Sequence, residues 1–137
     1  MIVGDTSALI ALIDADDRHH EALQGLFQRD PDAWVLPWAV LPEVDYMVAT
    51  HIGRAAQHAF LNDLAAGAFS VEWGEASDLE RAHELCTRYR SLGLGLVDGS
   101  VIAIAERLGS EAIATLDLRH FGTVEIEGGP KLLPRDL

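Results

Sequence analysis

The chain is short of positive charge, cysteine and long apolar runs, and each shortage narrows what it can be. A single lysine (Lys131) and nine arginines face 22 acidic residues, for a formal net charge of −12. So few cations cannot line a general basic track, and such a surface repels nucleic acid at long range. Any phosphate that binds must be held mainly by arginine forks and divalent cations. The lone Cys86 excludes an internal disulfide and lacks Cys/His ligand spacing, so it reads as a small apolar filler on a helix. No apolar stretch reaches the roughly 20 residues that span a bilayer. The opening Met1-Ile2-Val3-Gly4-Asp5 has no basic n-region and reads as a strand, so the expected compartment is the cytoplasm, with no membrane partner. There is no repeat, low-complexity tract or Pro/Gly/Ser linker. With 49% hydrophobic residues, residues 1–137 are expected to form one domain around one core.

What is present is an alternation of short strands with amphipathic helices. Ile2–Gly4, Trp34–Leu36, Phe69–Trp73 and Ala112–Leu116 read as strands, and Val124–Ile126 as an edge-strand candidate. Between them, helical spacing joins Ala8, Leu9, Leu12 and Ile13; then Ala22, Leu23, Leu26 and Phe27; then Val40, Val44, Met47 and Val48. Further helices are expected over 55–66, over 77–89 with Leu79, Ala82, Leu85, Cys86 and Tyr89 on one face, and through Val97, Val101, Ile104 and Leu108 up to Gly109. This order predicts an α/β fold: a parallel central sheet flanked by helices on both faces. In such sheets, sites form beyond the carboxyl ends of the strands.

Four acids fall among apolar residues: Asp5 after Ile2-Val3-Gly4, Glu43 between Leu41-Pro42 and Val44, Asp98 between Leu96-Val97 and Val101-Ile102, and Asp117 after Thr115-Leu116. A carboxylate in apolar surroundings costs several kcal/mol unless it is paired or bound to metal, and cations are scarce here. Each acid has an ordinary alternative. Asp5 could cap the first helix, Asp98 a helix beginning near Gly99, and Asp117 could serve a turn. One cause serves all four: a hard cation, Mg²⁺ or Mn²⁺, which takes oxygen ligands and can activate water for attack on a phosphodiester. Left without metal, neighbouring carboxylates repel and some must hold protons.

Together these residues resemble the PIN-domain family. Asp5-Thr6-Ser7-Ala8-Leu9 after a short apolar strand, Glu43 on the third helix, Asp98 heading an apolar helix and Thr115-Leu116-Asp117-Leu118-Arg119-His120-Phe121 are similar to its motifs in order. The likeness covers essentially the whole chain, at the length of small VapC-type toxins. It implies an Mg²⁺- or Mn²⁺-dependent endoribonuclease with Asp5, Glu43, Asp98 and Asp117 as metal-binding catalytic acids. It also implies Ser7, or else Thr6, as a hydrogen-bonding support. Its implied partners are an RNA substrate, a VapB-type antitoxin that inhibits the enzyme, a second copy of the chain in a homodimer, a heterotetramer or larger assembly with antitoxin, and operator DNA only through the antitoxin.

Beside the acids, Arg119 is a candidate phosphate contact with a solvated turn as its alternative. His120 is expected to be structural, Phe121 core, and Glu125 and Glu127 solvated. Trp34, Trp38 and Trp73 are expected in the core, base stacking being their alternative. The rival functions are weaker. A haloacid-dehalogenase phosphatase needs an Asp where Ser7 stands, and a receiver domain needs an acidic pair after the first strand. A PIN-like domain used only for interaction or regulation is the remaining alternative, although all four acids are present.

Overall fold

Strands of three or four residues build the sheet of the computed structural model, which describes residues 1–137. They are β1 (Ile2–Gly4), β2 (Trp34–Pro37), β3 (Ser70–Glu72), β4 (Ala112–Ala114) and β5 (Lys131–Leu133). All pair in parallel, in the order β3-β2-β1-β4-β5. The central register sets Ile2 against both Trp34 and Ala112. Every residue of β1 and β4 is buried. Because successive side chains point to opposite faces, that pattern requires cover on both sides of the sheet.

Seven helices give that cover: α1 (Thr6–Ile13), α2 (His20–Arg29), α3 (Val40–His51), α4 (Arg54–Ala65), α5 (Ala76–Arg88), α6 (Leu96–Leu108) and the single turn α7 (Leu118–Phe121). Helical spacing selects the core-facing residues. Leu9, Leu23, Val40, Val44, Val48, Leu85 and Ile102 are almost fully buried against Val3, Leu36 and Ile113. Gly99 lets α5 and α6 pack closely, since a Cβ there would lie 3.2 Å from both the Ala82 carbonyl oxygen and Cys86 Sγ. Cys86 is accordingly half-buried filler at this contact. Gly109, with φ +60°, ends α6 in the left-handed conformation that a Cβ disfavours.

Several sequence-based expectations change. Val124–Ile126 is not a strand: Val124 N donates to His120 O, which closes the end of α7, and the edge position belongs to β5. Val-Glu-Ile alternates in polarity whether or not its backbone pairs. Leu79 is 62% exposed, outside the buried stripe of α5. Of the tryptophans only Trp34 is core. Trp38 and Trp73 stand just past the ends of β2 and β3, are 51% and 69% exposed, and stack on each other with ring centroids 5.7 Å apart. Beside them, Arg107 of α6 reaches Asp78 at 2.7 Å and Glu72 at 2.7 Å, tying β3 and α5 to α6.

Candidate metal centre

The parallel topology sends β1 and β4, neighbours in the sheet, to the same rim, and each continues into an acidic residue or nearly so. Asp5 directly follows β1 and is 3% exposed. It occupies the N-cap position of α1, yet its side chain makes no cap hydrogen bond. Its Oδ2 instead accepts from Ser7 Oγ at 2.9 Å and Thr115 Oγ1 at 2.8 Å. Burial holds the Asp5 carboxyl above the usual range, against these two hydroxyl bonds, with repulsion from Asp117 adding to the rise.

The two hydroxyls knit the rim together. Ser7 Oγ accepts the Leu116 N–H at 2.9 Å and Thr115 Oγ1 accepts the Asp117 N–H at 3.0 Å, so the segment after β4 hangs on the groups that orient Asp5. The Thr6 hydroxyl does not take part, being buried without a hydrogen-bond partner, and Thr6 supports Asp5 only through its backbone N–H. Nothing in the run Ala112-Ile113-Ala114-Thr115-Leu116 marks Thr115 as a partner of Asp5. Only the parallel pairing of β1 with β4 brings it to Asp5.

Asp98 lies in the first turn of α6, which begins at Leu96, three residues earlier than a cap at Asp98 requires. The positive end of the helix dipole favours its charge. Burial nevertheless raises the Asp98 carboxyl to about 6, with repulsion from Asp5, Asp117 and Glu43 in the same direction and attraction to His120 opposing. Glu43 is itself exposed at the start of α3, so its position beside the apolar stripe does not bury it. It is close enough to raise Asp98.

Asp117 does cap α7, its Oδ1 accepting the His120 N–H at 3.1 Å. Its other oxygen lies 2.7 Å from His120 Nδ1, and Asp98 Oδ2 lies 3.3 Å from the same nitrogen. Donor atoms of Asp98, Asp117 and His120 all fall within 4.8 Å of one another. His120 is therefore part of the acid cluster and not a bystander in the structural frame. Its one signal in the sequence was its place three residues after Asp117, one helical turn on. Arg119 is exposed at this rim and free of the ion pairs that occupy Arg81, Arg88, Arg107 and Arg135. Phe121 is core, as expected.

The donor set fits a divalent cation. Several oxygen donors and one imidazole converge with few compensating cations, and burial, with repulsion between the neighbouring carboxylates, raises Asp5 and Asp98. A separate apolar cleft of about 530 Å³ opens away from these acids, lined by Leu12, Ile13, Phe27, Ala56, Phe60 and Phe69 among others.

A doubly covered parallel sheet with carboxylates gathered beyond its strand ends defines an α/β domain built around a metal-type acidic site. The chain belongs to the PIN-domain family, whose pattern matches residues 2–126. It is 37% identical over 125 residues to ribonuclease VapC26 of Mycobacterium tuberculosis, covering 91% of this chain and 93% of that protein. The fold superposes on the crystal structure of M. tuberculosis VapC20, a toxin that cleaves the sarcin–ricin loop. The TM-score is 0.78 and the identity 25%, over 92% of this chain and 98% of that one. The structure of VapBC2 from Rickettsia felis bound to a promoter DNA fragment shares the fold at a TM-score of 0.68 and 18% identity, over 96% and 97% of the two chains.

Proposed function

We propose that this chain is a metal-dependent endoribonuclease of the VapC type, the toxin of a bacterial toxin–antitoxin pair. The observation that carries the reading is the convergence of Asp98, Asp117 and His120 beside the buried Asp5, in a chain 37% identical to a ribonuclease. Asp5, Glu43, Asp98 and Asp117 are the acids assigned to hold Mg²⁺ or Mn²⁺. The ion, when bound, supplies Lewis acidity that makes water a competent nucleophile and offsets phosphate charge. The residues of the chain do the positioning. Ser7 and Thr115 fix the direction of Asp5, the dipole of α6 backs Asp98, and His120 holds Asp117. Arg119, exposed on the turn after Asp117, is on this reading the contact to a phosphate oxygen, through its guanidinium.

The apolar cleft between α1, α2 and α4 fits a row of side chains from an amphipathic antitoxin segment, and the acidic surface suits a basic tail. Operator DNA is then approached only through the antitoxin, in a homodimer or a heterotetramer or larger assembly. No helix is long and apolar enough to cross a membrane, and the proposed site of action is the cytoplasm.

The test is cleavage of total RNA by purified protein with Mg²⁺ or Mn²⁺, repeated with EDTA and with Asp98→Asn. Cleavage should require the ion and fall at least about 100-fold in the variant, the scale of losing a group that acts on the reaction's charge. Near-wild-type cleavage by a folded Asp98→Asn protein would sink the assignment. Growth arrest on expression, relieved by the neighbouring small gene product, checks the toxin role.

A further inference from the structure

We infer that His120 is a nitrogen ligand of the ion at this centre, and that it makes the site prefer a first-row transition ion, with Mn²⁺ as probe, to Mg²⁺. This rests on the metal-dependent reading above and names the residue that would select the ion.

The geometry has three parts. His120 Nδ1 lies 2.7 Å from an oxygen of Asp117 and 3.3 Å from one of Asp98. Donors roughly 3 Å apart are what adjacent vertices of an octahedral ion present at bond lengths of about 2.1 Å. The other ring nitrogen, Nε2, faces the Leu92 carbonyl at 3.2 Å, an acceptor only. Nε2 must therefore carry a hydrogen to make that bond, which leaves Nδ1 directed at two carboxylates. A metal-ligating histidine is characteristically fixed in this way, its far N–H tied to a carbonyl so that the near nitrogen is oriented for the ion. Finally, the ring is held: its own backbone N–H is bound by Asp117 Oδ1 at 3.1 Å, and its side chain is 18% exposed.

Either a proton on Nδ1 shared with Asp117 or a metal ion can hold these three donor atoms together, and their convergence suits an ion that takes that proton's place. Chemistry then sorts the ions. Mg²⁺ demands near-ideal octahedral oxygen coordination and dehydrates reluctantly, so an imidazole nitrogen contributes little to its binding. Transition ions accept nitrogen and oxygen in one site, with affinity rising along the series from Mn²⁺. A single histidine among the acids therefore discriminates against Mg²⁺ without excluding it.

The experiment measures Mn²⁺ and Mg²⁺ binding calorimetrically for full-length wild type, His120→Ala, His120→Gln and Asp98→Asn, with pulsed electron paramagnetic resonance of the Mn²⁺-loaded proteins. Wild type should bind Mn²⁺ at least about tenfold tighter than Mg²⁺ and show an imidazole ¹⁴N coupling. Both His120 variants should lose that coupling and most of the Mn²⁺ preference while keeping Mg²⁺ affinity within a few-fold. Should His120→Ala fail to fold, His120→Gln, which keeps a polar side chain, carries the comparison, and the wild-type spectrum stands alone. A wild-type spectrum without imidazole coupling overturns the inference. So does equal loss of both ions in the His120 variants, which would mark the ring as a proton-bearing support for Asp117. If wild type binds neither ion, or Asp98→Asn binds both normally, the metal-dependent reading itself fails.

Discussion

Two neighbouring hydroxyls, Ser7 and Thr6, illustrate how little residue type alone says about role. Ser7 Oγ both donates to Asp5 and accepts from the Leu116 N–H. Thr6 Oγ1 is buried with no partner. Ser7→Ala strips a donor from a buried carboxylate and orphans a backbone N–H, so it should destabilise by about 1–3 kcal/mol in urea unfolding. Thr6→Val removes an unsatisfied hydroxyl while keeping the branched shape, and should be neutral or stabilising by the same measurement. Asp98 makes a pH prediction. Its folded-state carboxyl, raised to about 6, binds a proton that the unfolded chain, near 3.8, releases earlier. The metal-free protein should therefore lose stability as pH rises from about 4 through 6, the unfolded state binding fewer protons in that window. Asp98→Asn should flatten this dependence. It should also stabilise the metal-free protein at pH 7 by about 1 kcal/mol, discounted for partial exposure, in the same step that removes activity. A stability profile that rises over that range would contradict the assigned environment of Asp98.

At the scale of elements, the α5–α6 contact places Asp98. Gly99 follows it directly, and an added Cβ meets the backbone of Ala82 and the sulfur of Cys86. Gly99→Val should push α6 away from α5, destabilise by about 1–3 kcal/mol and weaken divalent-ion binding together, since the displaced turn carries Asp98. Arg107 braces the opposite end of the same helix. Burial alone would raise Asp78, but the hydrogen bonds from Arg107 and the Glu75 N–H outweigh it and hold the carboxyl below its ordinary range. That contribution is present above about pH 4 and is lost as pH falls through the lowered value. Arg107→Met should thus lower stability at pH 7 and reduce the steepness of acid unfolding, read by circular dichroism. Six of the seven helices and four of the five strands were legible, through the 3.6-residue spacing of residues such as Val40, Val44 and Val48 and through short apolar runs such as Ile2-Val3. β5 was not, since Lys-Leu-Leu between prolines carries too little period to announce a strand. Asp5 and Asp117 were legible as rim residues from topology. Thr115 and His120 were not, because their roles depend on which strands become neighbours and on one turn of helix too short to leave a pattern. The exposed Trp38 and Trp73 were misjudged for a related reason: alternation locates a face but not where a strand stops.

For the whole molecule the governing quantity is the net charge of −12, set against a proposed polyanionic substrate. Four of the nine arginines are engaged with the protein's own carboxylates, through Arg81–Glu106, Arg88–Glu125, Arg107–Asp78 and Arg135–Asp136. Affinity for RNA then cannot come from many released counterions, as it does in proteins with a basic track. On the proposed reading it comes from an ion at the acid cluster, from Arg119 and from contacts that do not depend on charge. Each phosphate neutralised by a side chain contributes a slope of about −0.7 to the dependence of log affinity on log salt for single strands. With one or two such contacts, the cleavage-deficient Asp98→Asn protein should bind single-stranded RNA with a slope of roughly −0.7 to −1.4, and Arg119→Ala should make it shallower by about 0.7. Fluorescence anisotropy across a monovalent salt series, at fixed divalent concentration, reads both. A slope steeper than about −4 would require a basic surface that this chain lacks, and would place RNA recognition on a partner chain.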